Sequence, residues 1–151
     1  MRLALAQARH AALAGEIPVG ALVLSDVGDI LFVAENCMES AANPCAHAEM
    51  LAIQGACRKR GGRRLSNCVL VSTLEPCLMC AAAAAHAHIA GIVYGAADPQ
   101  AGAISSATDF MCLPLANRHI WHMGGVLGEE CAELLNGFFA GLRQSDSNWI
   151  V

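Results

Sequence analysis

The sequence predicts an α/β domain with helices on both faces of a mixed sheet. Three observations lead there. Short β-branched runs and longer helical patterns follow one another in the order α-β-β-α-β-α-β-β-α. The first two strands are joined by Ser25-Asp26-Val27-Gly28-Asp29, which is hairpin-turn chemistry. The chain has 151 residues, 56% of them hydrophobic, and shows no linker or repeat, so it reads as one domain over residues 1–151 with a real core.

The elements follow in order. Leu3 to Ala14 reads as an amphipathic or buried helix ended by Gly15. Glu16-Ile17-Pro18-Val19-Gly20 turns into a strand at Ala21–Leu24, and Ile30–Glu35 is the returning strand. Asn36 to Cys45 is small, polar and proline-bearing, hence a loop. A second helix begins near Ala46, continues through Met50, Leu51, Ile53 and Ala56, and stops at Gly61-Gly62. Cys68–Ser72 is a third strand. Pro76 opens a third helix, which runs through five alanines to about His88; polyalanine favours helix and admits a close neighbour. Gly91–Gly95 is a fourth strand, Ala97–Asn117 a long irregular stretch of the kind that often carries function, and Ile120–Met123 a short fifth strand. The last helix, Gly128–Leu142, has Cys131, Leu134, Leu135, Phe138 and Phe139 on its apolar side.

Composition excludes several classes. No uninterrupted apolar run of about 18 residues is present, so no membrane span is expected. The N-terminal stretch is too short in apolar residues for a signal peptide, which predicts a cytoplasmic protein without a disulfide framework despite eight cysteines. Cys57, Cys68, Cys112 and Cys131 read as buried thiols, and Cys37 and Cys45 as packing residues or spare ligands. The apolar composition suggests that another subunit covers part of the surface. The net charge is −4, yet five of nine basic residues fall in Arg58-Lys59-Arg60-Gly61-Gly62-Arg63-Arg64. That run is either a solvated helix end, where cations meet the negative dipole, or a local phosphate contact.

The chemistry concentrates in Thr73-Leu74-Glu75-Pro76-Cys77-Leu78-Met79-Cys80 and in His47-Ala48-Glu49. Two thiols at i and i+3 after a proline share one face of a helix that begins there, and a helix start favours the thiolate that binds metal. His47 supplies a third ligand and leaves a fourth position open for water, as in catalytic zinc; a structural site wants four protein ligands, and only one C-x-x-C is present. Two thiolates with imidazole favour zinc over other divalent metals. Glu49 is not needed as a ligand and is placed to take a proton from water and return it to the substrate. His47 and Glu49 are two residues apart, so both address one centre only from a first helical turn. H-x-E followed by P-C-x-x-C is the known pattern of zinc-dependent nucleobase deaminases. His86, His88, His119 and His122 read as capping, packing or loop residues.

With these motifs, and with Glu16 to Ala21, Asn36, Tyr94-Gly95-Ala96, Asp98, Ala101-Gly102-Ala103, Asn117 and Gly124 to Leu127, the chain resembles the bacterial tRNA-specific adenosine deaminases of the cytidine deaminase-like superfamily. The resemblance covers nearly the whole chain. It implies a three-layer α/β/α fold around a five-stranded mixed sheet, one zinc ion per subunit, a homodimer, and hydrolysis of adenosine to inosine at the anticodon wobble position. It further implies that Asn36 hydrogen-bonds the flipped base, that Ile17, Pro18 and Val19 form an apolar wall, and that the Ala48 N–H completes base recognition. Arg58, Lys59, Arg60, Arg63, Arg64 and Arg118 would be the phosphate contacts to a tRNA anticodon stem-loop. The chain departs from the family in carrying His88 where an arginine is common, and few cations in Ala97-Asp98-Pro99-Gln100 or the tail. Fewer phosphate contacts weaken RNA binding, so a free nucleobase or nucleoside is the alternative substrate.

Overall fold

A computed structural model describes residues 1–113 and 119–146 of the chain. Its elements are α1 (Arg2–Leu13), β1 (Gly20–Leu24), β2 (Ile30–Glu35), α2 (Ala48–Arg60), β3 (Val69–Leu74), α3 (Leu78–His86), β4 (Gly91–Ala96), a single 3-10 turn (Phe110–Cys112), β5 (Trp121–Met123) and α4 (Gly128–Asp146). The strands form one five-stranded sheet in the order β2-β1-β3-β4-β5. β1 is antiparallel to both β2 and β3, whereas β3, β4 and β5 run parallel. The sheet is therefore mixed, as the hairpin and the later helical crossover require.

Helices cover both faces. Strand alternation sends Ala21 and Val23 of β1 into the larger core with Ala52, Ile53 and Ala56 of α2 and Ala81 and Ala84 of α3. Leu22 points the other way, to Ala4 of α1 and Val71 of β3. Leu5 of α1 meets Cys131 of α4 over Ala96. Leu70 and Ile92 are fully buried at the centre of the sheet, each worth about 1.5–3 kcal/mol by burial. α1 crosses β1 so closely that a Cβ on Gly20 would collide with the Ala4 carbonyl oxygen, so glycine sets that spacing.

The element bounds differ from the sequence reading where tertiary partners intervene. β3 runs two residues beyond Ser72, because Thr73 and Leu74 pair onward: the Thr73 Oγ1 accepts the Gly20 N–H at 3.1 Å, and Leu74 pairs with Ala96. α2 starts at Ala48, since the loop before it holds Ala46 through Cys37 N–H to Ala46 O (3.1 Å) and Ala46 N–H to Asn43 O (3.0 Å). α3 starts at Leu78, leaving Cys77 as its N-cap in an extended conformation. Gly61, at φ 69°, closes α2 as expected. Two cysteines depart from the expected packing: Cys112 is exposed in the 3-10 turn, where Phe110 takes the inward place, and Cys45 is exposed in its loop. All eight cysteines are free. No helix among the described residues is long and apolar enough to cross a membrane.

Candidate active site

The segments that carry chemistry gather at one end of the sheet. β3 and β4 finish there, β2 finishes there and β1 begins there, and α2 and α3 both start there. In open sheets the crevice beyond the carboxyl ends of parallel strands is the usual ligand site. His47 is the N-cap of α2 and Cys77 the N-cap of α3, so each ligand stands at the positive end of a helix dipole.

Cys80 lies in the first turn of α3, three residues beyond the cap, and its sulfur comes to 3.7 Å from Cys77 Sγ. His47 Nδ1 is 3.8 Å from Cys77 Sγ and 3.6 Å from Cys80 Sγ. A tetrahedral ion about 2.3 Å from each sulfur and about 2.0–2.1 Å from nitrogen separates its ligands by about 3.5–3.8 Å. The three atoms thus already stand at the edge lengths of a zinc tetrahedron, with Nδ1 as the ring atom presented. Among the described residues His47, Cys77 and Cys80 are the group able to hold a metal. The thiols share a proton unequally. The hydrogen bond between the two sulfurs, aided by His47 and opposed by burial, lowers Cys77 to about 4, while the same contact and burial push Cys80 well above the usual thiol range. Hydrogen bonding to Cys77 in turn raises His47.

Glu49 stands in the first turn of α2 and is only 4% exposed. Its Oε2 is 3.8 Å from Cys80 Sγ, and its Oε1 accepts the Ser72 hydroxyl at 2.8 Å. Burial pushes its carboxyl above the ordinary value, and the Ser72 hydrogen bond and His47 pull against that rise. A carboxyl raised in this way holds a proton more readily than a solvated one, which suits a group that must take and give a proton.

A cleft of about 230 Å³ opens over these groups. Ile17, Val19, Asn36, Met38, Leu74, Asp98 and Ala101 line it together with His47, Glu49 and Cys77. The sequence model of the cytidine and deoxycytidylate deaminase zinc-binding region matches residues 1–96, which hold every one of the three ligands and Glu49. The tRNA-specific adenosine deaminase of Aquifex aeolicus is 38% identical over 146 residues, covering 96% of this chain and 95% of that protein. The chain belongs to the tRNA-specific adenosine deaminase family of zinc-binding deaminases. Among solved structures, a tRNA:A34 deaminase studied for A-to-I editing at the wobble position of transfer RNA superposes on this deaminase with a TM-score of 0.87 at 38% identity, covering 89% of this chain and 97% of the other. The guanine deaminase from Nitrosomonas europaea superposes with a TM-score of 0.79 at 25% identity, covering 91% and 81%.

The other residues singled out in the deaminase sequence fall into two groups. Ile17, Val19 and Asn36 reach the cleft, whereas Pro18 is buried between its neighbours and is not part of the lining. Ala48 is the first residue of α2, fully buried, with its N–H in the turn where helix donors lack intrahelical acceptors. Arg58, Lys59 and Arg60 form the last turn of α2, and Arg63 and Arg64 follow it. At about 1.5 Å per residue, Arg60 stands roughly 20 Å from His47, at the opposite end of the helix. Lys59 Nζ donates to Ile30 O at 3.0 Å, and Arg60 bridges Ser66 O and Asp26, tying this helix end to the β1–β2 hairpin. Arg118 lies outside the described residues, as does Asn117.

Three buried polar residues of the deaminase were not picked out from sequence. Ser72 steadies Glu49. Glu16, 2% exposed, accepts Asn36 Nδ2 at 3.3 Å and the N–H groups of Glu39 (3.2 Å) and Ser40 (2.7 Å), fixing the Asn36 amide and the loop behind Met38. The backbone donors of this loop, the Ser40 N–H foremost and the Glu39 N–H with it, hold the Glu16 carboxyl below the usual range. Glu75, also 2% exposed, anchors the loop after β4. The available signal was that Glu16 and Glu75 sit inside the family motifs themselves.

Proposed function

We propose that this protein hydrolyses adenosine to inosine at the wobble position of a tRNA anticodon, with residues 1–151 acting as one zinc-dependent deaminase domain. The observation that carries this reading is the His47–Cys77–Cys80 triangle with buried Glu49 beside it at the floor of one cleft. His47 through Nδ1, Cys77 and Cys80 hold the metal. When bound there, zinc supplies Lewis acidity that makes water a nucleophile near neutral pH, for attack on the ring carbon bearing the exocyclic amine. Glu49 takes the two protons of that water in turn, passing the first to the ring nitrogen and the second to the departing amine, so that water and the amino base become the oxo base and ammonia. Asn36, its amide held by Glu16, hydrogen-bonds the flipped base, and the Ala48 N–H adds a second polar contact. Ile17 and Val19 supply apolar walls, with Pro18 stiffening the turn between them.

An anticodon stem-loop is the direct test. Incubation with zinc-loaded protein at low salt, followed by digestion and mass spectrometry, should yield inosine at the wobble position; an unchanged stem-loop would sink the tRNA reading. Arg58, Lys59, Arg60, Arg63, Arg64 and Arg118 are the proposed phosphate contacts, which a large RNA reaches from the cleft. A tRNA substrate also places the enzyme in the cytoplasm. Exposed Leu78, Leu113, Trp121 and Met123 support a homodimer, to be checked by light scattering of the eluting protein.

One observation favours a second reading. No lysine or arginine is among the described residues lining the cleft, and the fold is shared with a guanine deaminase. Ammonia release from guanine, cytosine, adenine or their nucleosides, with RNA left untouched, would replace the tRNA substrate by a free base.

A further inference from the structure

Five hydrogen bonds converge on a buried carboxylate that the proton chemistry above does not use. Glu75 Oε1 accepts the N–H groups of Ile104 (3.1 Å), Ser105 (2.8 Å) and Ser106 (3.0 Å). Its Oε2 accepts the Asp98 N–H at 3.1 Å and the Ser106 hydroxyl. Every donor belongs to the stretch 98–106, which has no helix or strand of its own to satisfy its amides. That stretch supplies Asp98 and Ala101 to the lining of the cleft.

The same carboxylate stands directly behind the metal-ligand turn. Ala103 N–H donates to Pro76 O at 2.9 Å, and Gly102 forms an antiparallel bridge with Cys77. A Cβ on Gly102 would lie 2.5 Å from Glu75 Cδ, so only glycine lets the loop close over the carboxylate. Tyr94 adds a second tether, its hydroxyl 2.6 Å from Ser105 Oγ.

We propose that Glu75 is a positioning residue for substrate binding: it holds loop 98–106 against the Cys77 turn, so that Asp98 and Ala101 complete the cleft in a fixed shape. The proposal rests on the reading of that cleft as the base-binding site. Glu75 touches neither ligand sulfur nor the proton path, so its loss acts on how well substrate is held, before any effect on the chemical step.

The test uses the zinc-loaded full chain with Glu75→Gln and Ser106→Ala. The glutamine turns an amide NH2 towards N–H donors; the alanine removes the hydroxyl donor alone. In amide hydrogen exchange without substrate, residues 98–106 should exchange about tenfold faster in Glu75→Gln. Zinc should stay at one per chain, and KM should rise about tenfold with kcat within about twofold. Ser106→Ala should move the same quantities less far, and it carries the measurement if Glu75→Gln does not fold. Unchanged exchange across the loop, or a loss confined to kcat or to zinc content with KM unmoved, would overturn the proposal. If the wild-type protein leaves the stem-loop unchanged, the substrate reading fails, while loop exchange and the KM for a free base still judge Glu75.

Discussion

The Ser72 hydroxyl donates to Glu49 Oε1 at 2.8 Å, joining the middle of the sheet to the first turn of α2. Burial raises the Glu49 carboxyl and this hydrogen bond opposes the rise. Ser72→Ala should therefore raise Glu49 further. A hydrogen bond to a charged group is worth about 1.5–3 kcal/mol, so the acid limb of the kcat/KM profile should move up by about one to two pH units. An acid limb that stays in place would count against ionised Glu49 as the base.

Removing the carboxylate separates proton transfer from metal binding. Glu49→Ala should retain zinc, because the ligand triangle does not include it. Turnover should fall by about 10²–10⁴, the range that positioned acid–base groups supply. Metal analysis alongside single-turnover rates decides the matter, and normal turnover would refute the role.

Removing a ligand does the reverse. Cys77→Ala or Cys80→Ala should lose the metal and with it the activity, and chelation of the wild-type protein should lower its melting temperature, since ligand binding is coupled to folding. Zinc stoichiometry near one in either variant would mean that the metal is held elsewhere.

Glu16 makes stability depend on pH. Its folded pKa lies below the unfolded value, so the carboxylate stabilises the fold above about pH 4.3, and the contribution drains away as pH falls through the lowered folded value. Glu16→Gln should thus melt below wild type at neutral pH, with the gap narrowing under acid. A gap of constant width from pH 7 to pH 3 would exclude this linkage.

The basic run answers to salt. If Arg58, Arg63 and Arg64 meet phosphates, replacing all three by alanine should flatten the dependence of log affinity on log salt by about 0.7–0.9 per contact. Deamination of a saturating free base should be untouched, because these residues stand at the far end of α2 from the cleft. An unchanged salt slope would assign them to capping the helix.

The metal site was legible because its ligands come from two short local patterns. A C-x-x-C at a helix start and an H-x-E at another each fix the direction of their side chains within one turn, and the known deaminase pattern joins the two motifs at one ion. Strand and helix types were legible for the same reason, from period and punctuation. The ends were less so: Thr73 and Leu74 joined β3 because Gly20 and Ala96 lay within hydrogen-bonding reach, and no local pattern carries that information.

Sequence by itself picked out the candidate ligand set, the carboxylate that stands beside it and the alternation of strands and helices, because each is written in side-chain identity at short separation. Tertiary structure alone decided that Nδ1 of His47 faces the sulfurs, that Glu16 and Glu75 are the anchors of two cleft loops, and that the arginine run sits far from the cleft. Those outcomes depend on which backbone N–H groups from distant segments arrive at a buried carboxylate, and on which end of a helix points at the sheet's crevice. The energy of an unsatisfied buried group then selects one arrangement, and that selection is made only once the chain has closed upon itself.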